Sequence, residues 1–236
     1  MRLNHINNHI PSTIFDQSCS GPCIVIGSGP SQESLITNKD WKNYYTISAN
    51  WSQIHFPSQL YFWQDASFIA SAKKQLVKKQ YISCSVLPTS KSALNNDNLM
   101  QDIGGMYINR IPTQEKPPWI ETKKSNSLKC CSPISGAVAM CMAYILGFDP
   151  IILVGFDCNE GEYTYLKKHP QFGYFNKRGA NVHAQTQVRL LKNLEKEINI
   201  INCSRTEAIT RYDFGHTIKA LGQSNKSINQ SKIKDI

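Results

Sequence analysis

No apolar run in this 236-residue chain is long enough to cross a bilayer. The longest, Ala137 to Phe148, spans roughly 18 Å as a helix, well short of a hydrocarbon core. Met1 to Phe15 has neither a basic segment followed by an apolar core nor a small-residue cleavage site, so no secretory leader is read there. Paired Cys-x-x-Cys spacing is missing as well. The eight cysteines sit singly, several inside apolar runs, which predicts reduced, buried thiols and a cytoplasmic, soluble protein. Cys19 and Cys23 have no matching Cys/His pair downstream, and no metal site is expected. Acidic residues are scarce: 17 Asp and Glu against 26 Lys and Arg give a net charge of +9, which favours an anionic partner. With no arginine-rich arm, zinc finger or RNP signature, that partner is not expected to be nucleic acid.

What the chain does have is Cys23-Ile24-Val25-Ile26 running into Gly27-Ser28-Gly29-Pro30-Ser31. This reads as a strand, a tight loop and a helix start. Gly27 and Gly29 permit positive φ and close approach of a ligand to bare backbone, Pro30 suits the first helical position, and Gln32 stands where a capping side chain would. Unpaired N–H groups at such a helix start favour an anion. The third glycine of the dinucleotide fingerprint is replaced by Gln32, so the loop predicts a phosphate or nucleotide contact without specifying NAD.

Further strands are predicted at 44–49, ending at Asn50, at 60–63, ending at Gln64-Asp65, and at 81–87, 106–111, 151–156 and 199–202. Helices are predicted at 66–79, at 137–146 after Ser135-Gly136 and closed by Gly147, and at 183–197. Helices between short apolar strands that end on polar residues predict an α/β, Rossmann-like, mostly parallel open sheet with helices on both faces and ligands at its carboxyl edge. Residues 1–221 are read as one such domain. The polar, aromatic segment at about 158–182 reads as a lid insertion, and 222–236 as a disordered polar tail with Lys226, Lys232 and Lys234. That tail leaves a peripheral membrane contact open, with a solvated tail as the default.

The Gly27–Ser31 loop, Asn50, and Ser135-Gly136 followed by an apolar helix, Gly147-Phe148, a strand and Gly155-Phe156-Asp157 together resemble the bacterial lipooligosaccharide sialyltransferases. They resemble equally a wider superfamily of motility accessory factors, many phage proteins and 6-hydroxymethylpterin diphosphokinase-like proteins. The resemblance runs from about Ile24 to Cys203. It implies a glycosyltransferase-like enzyme that moves a sugar, of sialic-acid type in the sialyltransferases, from a CMP-activated or other nucleotide-activated donor to a hydroxyl acceptor on a glycan.

In that family the glycine loop binds the CMP moiety, which implies donor contacts at Gly27, Ser28, Gly29, Pro30 and Ser31. It further implies contacts at Asn50, at Asp65 or Gln64, and at Ser135 and Gly136. The lid tyrosine that supports the leaving phosphate falls on Tyr165, with Tyr163 the near alternative, and the catalytic base on His183. A helix start disfavours imidazolium, which suits a general base. Asp157 ends a buried strand at the ligand edge and reads either as a structural cap or as a ligand or metal contact. His55, His169 and His216 have no comparable context.

The sequence departs from the family at Ser28, where the family has asparagine, and at Ser132, where it has an arginine whose function is here either lost or supplied by Arg110, Lys129 or Arg178. There is no Asp-x-Asp, the pattern by which many nucleotide-sugar transferases hold a divalent metal, so no cofactor is expected. The alternative within the same superfamily, a magnesium- and ATP-dependent pyrophosphoryl transferase, would have to draw on Asp65, Asp157 and Glu160. A nucleotide-binding protein without catalysis is the third reading.

Overall fold

The computed structural model describes residues 19–50, 52–56, 58–63, 82–86, 106–108, 135–158 and 180–233. Seven strands form one sheet: β1 (Cys23–Ile26), β2 (Tyr45–Ala49), β3 (Leu60–Trp63), β4 (Ile82–Val86), β5 (Met106–Ile108), β6 (Ile151–Val154) and β7 (Ile200–Asn202). Their order is β5-β4-β3-β2-β1-β6-β7, and every pairing is parallel. The fold is thus the expected α/β, Rossmann-like open sheet. Successive strands step outward from β1 to β5, and the chain then returns to the other side of β1 for β6 and β7. The topological switch point lies between β1 and β6, where Cys23 to Ile26 pair with Ile151 to Val154.

Strand alternation divides the core into two. Cys23, Val25, Ile47, Leu60, Phe62, Ile151 and Leu153 point to one face and pack with α3 (Ser135–Ile145) and α4 (Ala180–Leu194). Ile24, Ile26, Ile152 and Val154 point to the other, where they meet Leu35, Trp41, Phe56, Phe214 and Ile218. These come from α1 (Glu33–Thr37), the 3-10 turn Asp40–Asn43, the chain just after α2 (Ser52–His55), and α5 (Phe214–Ile233). Both faces being covered explains why β1 and β6 read as unbroken apolar runs.

α3 is apolar all round because it lies in the interior: Ala137 to Ala143 are at most 1% exposed. It ends as predicted at Gly147, which takes φ +93°. α4 is amphipathic, burying Leu190, Leu191 and Leu194 and exposing Arg189 and Lys192.

One expectation differs from the structure. The segment from Gly222, read as a disordered tail, continues α5 to Ile233. The helix is nucleated upstream, where Asp213 Oδ1 accepts from the His216 N–H at 2.8 Å and Phe214, Ile218 and Leu221 pack against the sheet. Once that nucleus exists, each further turn costs little, and no proline interrupts the sequence before Ile233.

Candidate functional site at the carboxyl edge of the sheet

The loop after β1 enters a 3-10 turn (Pro30–Gln32) that leads into α1, and Pro30 holds the predicted first position. The two loop glycines are needed here for close approach and not for positive φ. Neither takes a positive φ; that conformation falls on Gly155 after β6, at +80°. What Gly27 and Gly29 provide is close approach. A Cβ on Gly27 would lie 2.5 Å from the Gly155 carbonyl oxygen, and one on Gly29 would lie 2.5 Å from Asp157 Oδ2. The loops after β1 and β6 therefore touch backbone to backbone across the switch point.

Asp157 fastens them. Its side chain is 2% exposed; Oδ2 accepts from the Ser31 N–H at 2.7 Å and Oδ1 from the Arg205 N–H, beyond β7, also at 2.7 Å. Of its two readings from sequence, the structural cap is the one these bonds describe. Ser31 is engaged from its side chain as well, since its Oγ accepts from the Gly155 N–H at 2.8 Å. Gln32 is no helix cap. Almost fully buried, it turns back and donates from Nε2 to the Gly27 carbonyl.

The loop amides are almost all engaged. Gly27 N–H donates to Val154, Gly29 N–H to Gly155, Ser31 N–H to Asp157 and Gln32 N–H to Gly29, while Pro30 has none. Only the Ser28 N–H has no acceptor among the described residues. Ser28 is half-buried, and its hydroxyl donates to the Ala49 carbonyl at 3.3 Å, which seats it beside the end of β2. Asn50 follows Ala49 directly, in the left-handed region at φ 51°, a conformation asparagine tolerates better than most residues. Its N–H donates to the Phe62 carbonyl at 2.9 Å. Ser28 and Asn50 thus adjoin at the carboxyl ends of β1 and β2.

Ser135 and Gly136 open α3 and are buried. Gly136 meets the loop through the Phe156 ring: a Cβ there would lie 3.0 Å from the ring, and one on Gly27 would lie 3.1 Å from it. His183 is carried in the first turn of α4, three residues further in than the helix start predicted at 183 would place it. Tyr163, Tyr165, Asp65, Gln64, Glu160, the four residues discussed around the lost arginine (Ser132, Arg110, Lys129, Arg178) and the lid from 159 to 179 lie outside the described residues.

No family model and no curated protein matches this sequence. Among solved structures, the MAf glycosyltransferase from Magnetospirillum magneticum AMB-1 is similar, with a TM-score of 0.51 at 13% sequence identity. The chain shares the fold of that glycosyltransferase. The similarity covers 81% of this chain and 32% of the neighbour, so this chain spans about a third of that protein's length.

Within this fold, several residues that hold the edge together were not singled out from the sequence. Ser52 Oγ accepts from the Ala49 N–H at 3.0 Å and lies 3.0 Å from the Ile26 carbonyl, tying β1 to β2 under Ser28. Ser204 Oγ accepts from the Phe156 N–H at 2.9 Å. Cys158, in the left-handed region at φ 55°, has its thiol pushed up to about 11 by burial, so it is a neutral group beside Asp157. The signal for these roles is a short polar residue two or three positions beyond the end of a strand, and Ser52, Asp157 and Ser204 all carry it. Among the described residues no group of His, Cys, Asp or Glu is arranged to hold a metal ion, and no helix is long and apolar enough to cross a membrane.

Proposed function

We propose that the chain is a glycosyltransferase-like enzyme whose donor is a sugar activated by a nucleoside monophosphate, CMP in the first place, with a sialic-acid type sugar and a glycan hydroxyl as acceptor. The observation that carries this reading is the occupation of the loop by Asp157. A pyrophosphate in a Rossmann-type site rests on the N–H groups of the first helical turn. Here the Ser31 N–H already holds a carboxylate, and Gln32 and Glu33 donate within the turn. A second phosphate at that point would lie against a buried negative charge. The Ser28 N–H, with Asn50 beside it, can take a single phosphate.

In this reading the donor lies over Ser28 and Asn50, with Ser135 and Gly136 at its other side. His183 removes the proton of the acceptor hydroxyl as the oxygen attacks the anomeric carbon. The bond to the nucleotide phosphate breaks, and Tyr165 or Tyr163 donates to the departing oxygen as it gains charge. No metal is required. The pyrophosphoryl-transfer reading is weaker because Asp157, one of the three carboxylates it would need, already has both oxygens on backbone amides.

Calorimetric titration with CMP, CDP, UDP and ATP, with and without magnesium, tests the donor class. CMP is expected to bind at least about tenfold more tightly than the di- and triphosphates and without regard to magnesium. Magnesium-dependent preference for ATP, or no binding of any nucleotide at millimolar concentration, would overturn it. Replacing His183 with Ala is expected to lower the transfer rate by about 10²-fold or more at unchanged donor affinity. Full activity in that variant would remove the base assignment.

A further inference from the structure

We propose that a second cleft, on the α1 and α2 face of the sheet and away from its carboxyl edge, binds an anionic saccharide. The cleft has a volume of about 450 Å³, within the range of small-ligand sites. Thr46, near the start of β2, and Gln59, just before β3, line it. Four residues of extended chain, about 13 Å, therefore separate its Thr46 wall from Asn50.

Three features define what it can hold. Lys39 and Lys42 line it and, among the described residues, no acidic side chain does, so its field is positive. Asp40 lies on the same turn outside the lining; burial, together with the Asp40 charge, raises the Tyr44 phenol, which stays protonated. Gln59 supplies a fixed donor. Its Oε1 accepts from both the N–H and the hydroxyl of Thr46, at 2.8 and 2.6 Å, which sets the plane of the amide and leaves Nε2 without an acceptor among the described residues. The floor is apolar and closed. Trp41 and Phe56 pack edge to face at 6.1 Å, are 6% and 4% exposed, and Lys42 Nζ sits 5.9 Å from the Trp41 ring centroid.

The Trp41 and Phe56 rings are too buried to stack a nucleobase, which needs an open aromatic face. A sugar ring fits the combination. Its hydroxyls accept from the amide and ammonium donors, its C–H face covers the 47% exposed Ile36 at the rim, and a carboxylate or phosphate substituent meets Lys39 and Lys42. The inference does not rest on the nucleotide assignment, since no residue is shared.

The test titrates the full chain with N-acetylneuraminic acid, glucose 6-phosphate, glucose and inorganic phosphate, following the side-chain amide resonance of Gln59 and calorimetric heat. At least one of the two anionic sugars is expected to bind saturably and to shift the Gln59 amide, with glucose and phosphate each at least about tenfold weaker; which sugar binds identifies carboxylate or phosphate as the anion. The Lys39→Glu/Lys42→Glu variant is expected to lose this binding by at least tenfold while CMP affinity is unchanged. The milder Lys42→Gln is expected to give a partial loss should the double variant misfold. Binding of glucose or phosphate equal to that of the anionic sugars, binding that survives charge reversal, or no binding by either acid would overturn the inference. Sugar binding in a protein that ignores CMP would remove the nucleotide reading and leave this one standing.

Discussion

Asp157 offers the sharpest test of how the edge of the sheet is held and what it admits. Replacing it with Ala removes two charge-assisted acceptors at 2.7 Å. The Ser31 amide is then left buried without a partner, at a cost of about 1 to 3 kcal/mol, and the Arg205 amide, which water can partly reach, costs less. The sum is about 3 kcal/mol, a large part of the stability of a domain this size. Asn at this position keeps one acceptor oxygen and turns an NH₂ toward the other amide, so its cost should be about 1 to 2 kcal/mol. Urea unfolding reads these directly as a shift of midpoint at constant slope.

The same substitution makes a functional prediction that stability alone does not. With the carboxylate gone, the Ser31 N–H is open to an anion and the repulsion on a second phosphate is relieved. Asp157→Asn should therefore bring CDP affinity toward or past that of CMP, moving the ratio of their dissociation constants by about tenfold or more. A folded Asn variant with an unchanged ratio would refute the idea that Asp157 selects a monophosphate. A loss of stability below about 0.5 kcal/mol would refute its role as the fastener of the three loops.

Other outcomes follow from the same geometry. Gly155→Ala combines a φ of +80° with a clash against the Gly27 carbonyl and should cost about 3 kcal/mol or more in urea unfolding, whereas Gly21→Ala, also at positive φ but in open space, should cost about 1 kcal/mol. Ser28→Pro removes the loop amide that has no acceptor among the described residues and should abolish CMP binding in calorimetry, while Ser28→Ala, which loses only the bond to Ala49, should weaken it a few fold. The Cys158 and Cys203 thiols, both pushed up to about 11 by burial, remain neutral in the folded state while an unfolded chain ionises near its ordinary value of 9. The unfolded state then binds fewer protons, so stability should fall as pH rises from about 9 toward 11, an effect that Cys203→Ser should reduce in thermal melts.

The sheet was legible because burial on both faces leaves an unmistakable trace. Ile24-Val25-Ile26 and Ile151-Ile152-Leu153-Val154 have no polar interruption, and β1 and β3 fall at the residues read from sequence. Gly147 was legible as a helix end because its left-handed cap needs no partner elsewhere. What could not be read is what depends on distance along the chain. Asp157 reaches Ser31 across 126 positions, and nothing local to either distinguishes a carboxylate that holds a loop from one that holds a ligand. Gln32 illustrates the same limit. Its position matched a capping side chain, but burial against the Gly27 carbonyl outweighed the local preference. The α5 extension beyond Gly222 was missed because composition reports the polar character of that stretch and not the nucleus at Phe214 and Ile218 to which it is joined.

The closing of the switch point also decides where a ligand can go. In open parallel sheets the crevice between the two halves forms because successive loops diverge to opposite faces, here after β1 and β6. In this chain Gly27 meets Gly155, Asp157 spans from the β1 loop to the β7 loop, and Phe156 fills the space toward Gly136. The switch point is therefore a packed floor. In the proposed reading a donor lies above it and to the β2 side, where Ser28 and Asn50 adjoin at the ends of β1 and β2. That shift explains why a loop so close to a dinucleotide fingerprint can lack its third glycine. The helix at that place carries Gln32 folded into the floor, and no phosphate has to approach it. A glycine there would leave the Gly27 carbonyl without its donor, so Gln32→Gly should destabilise the protein without restoring dinucleotide binding, a pair of results that unfolding and NAD titration would read together.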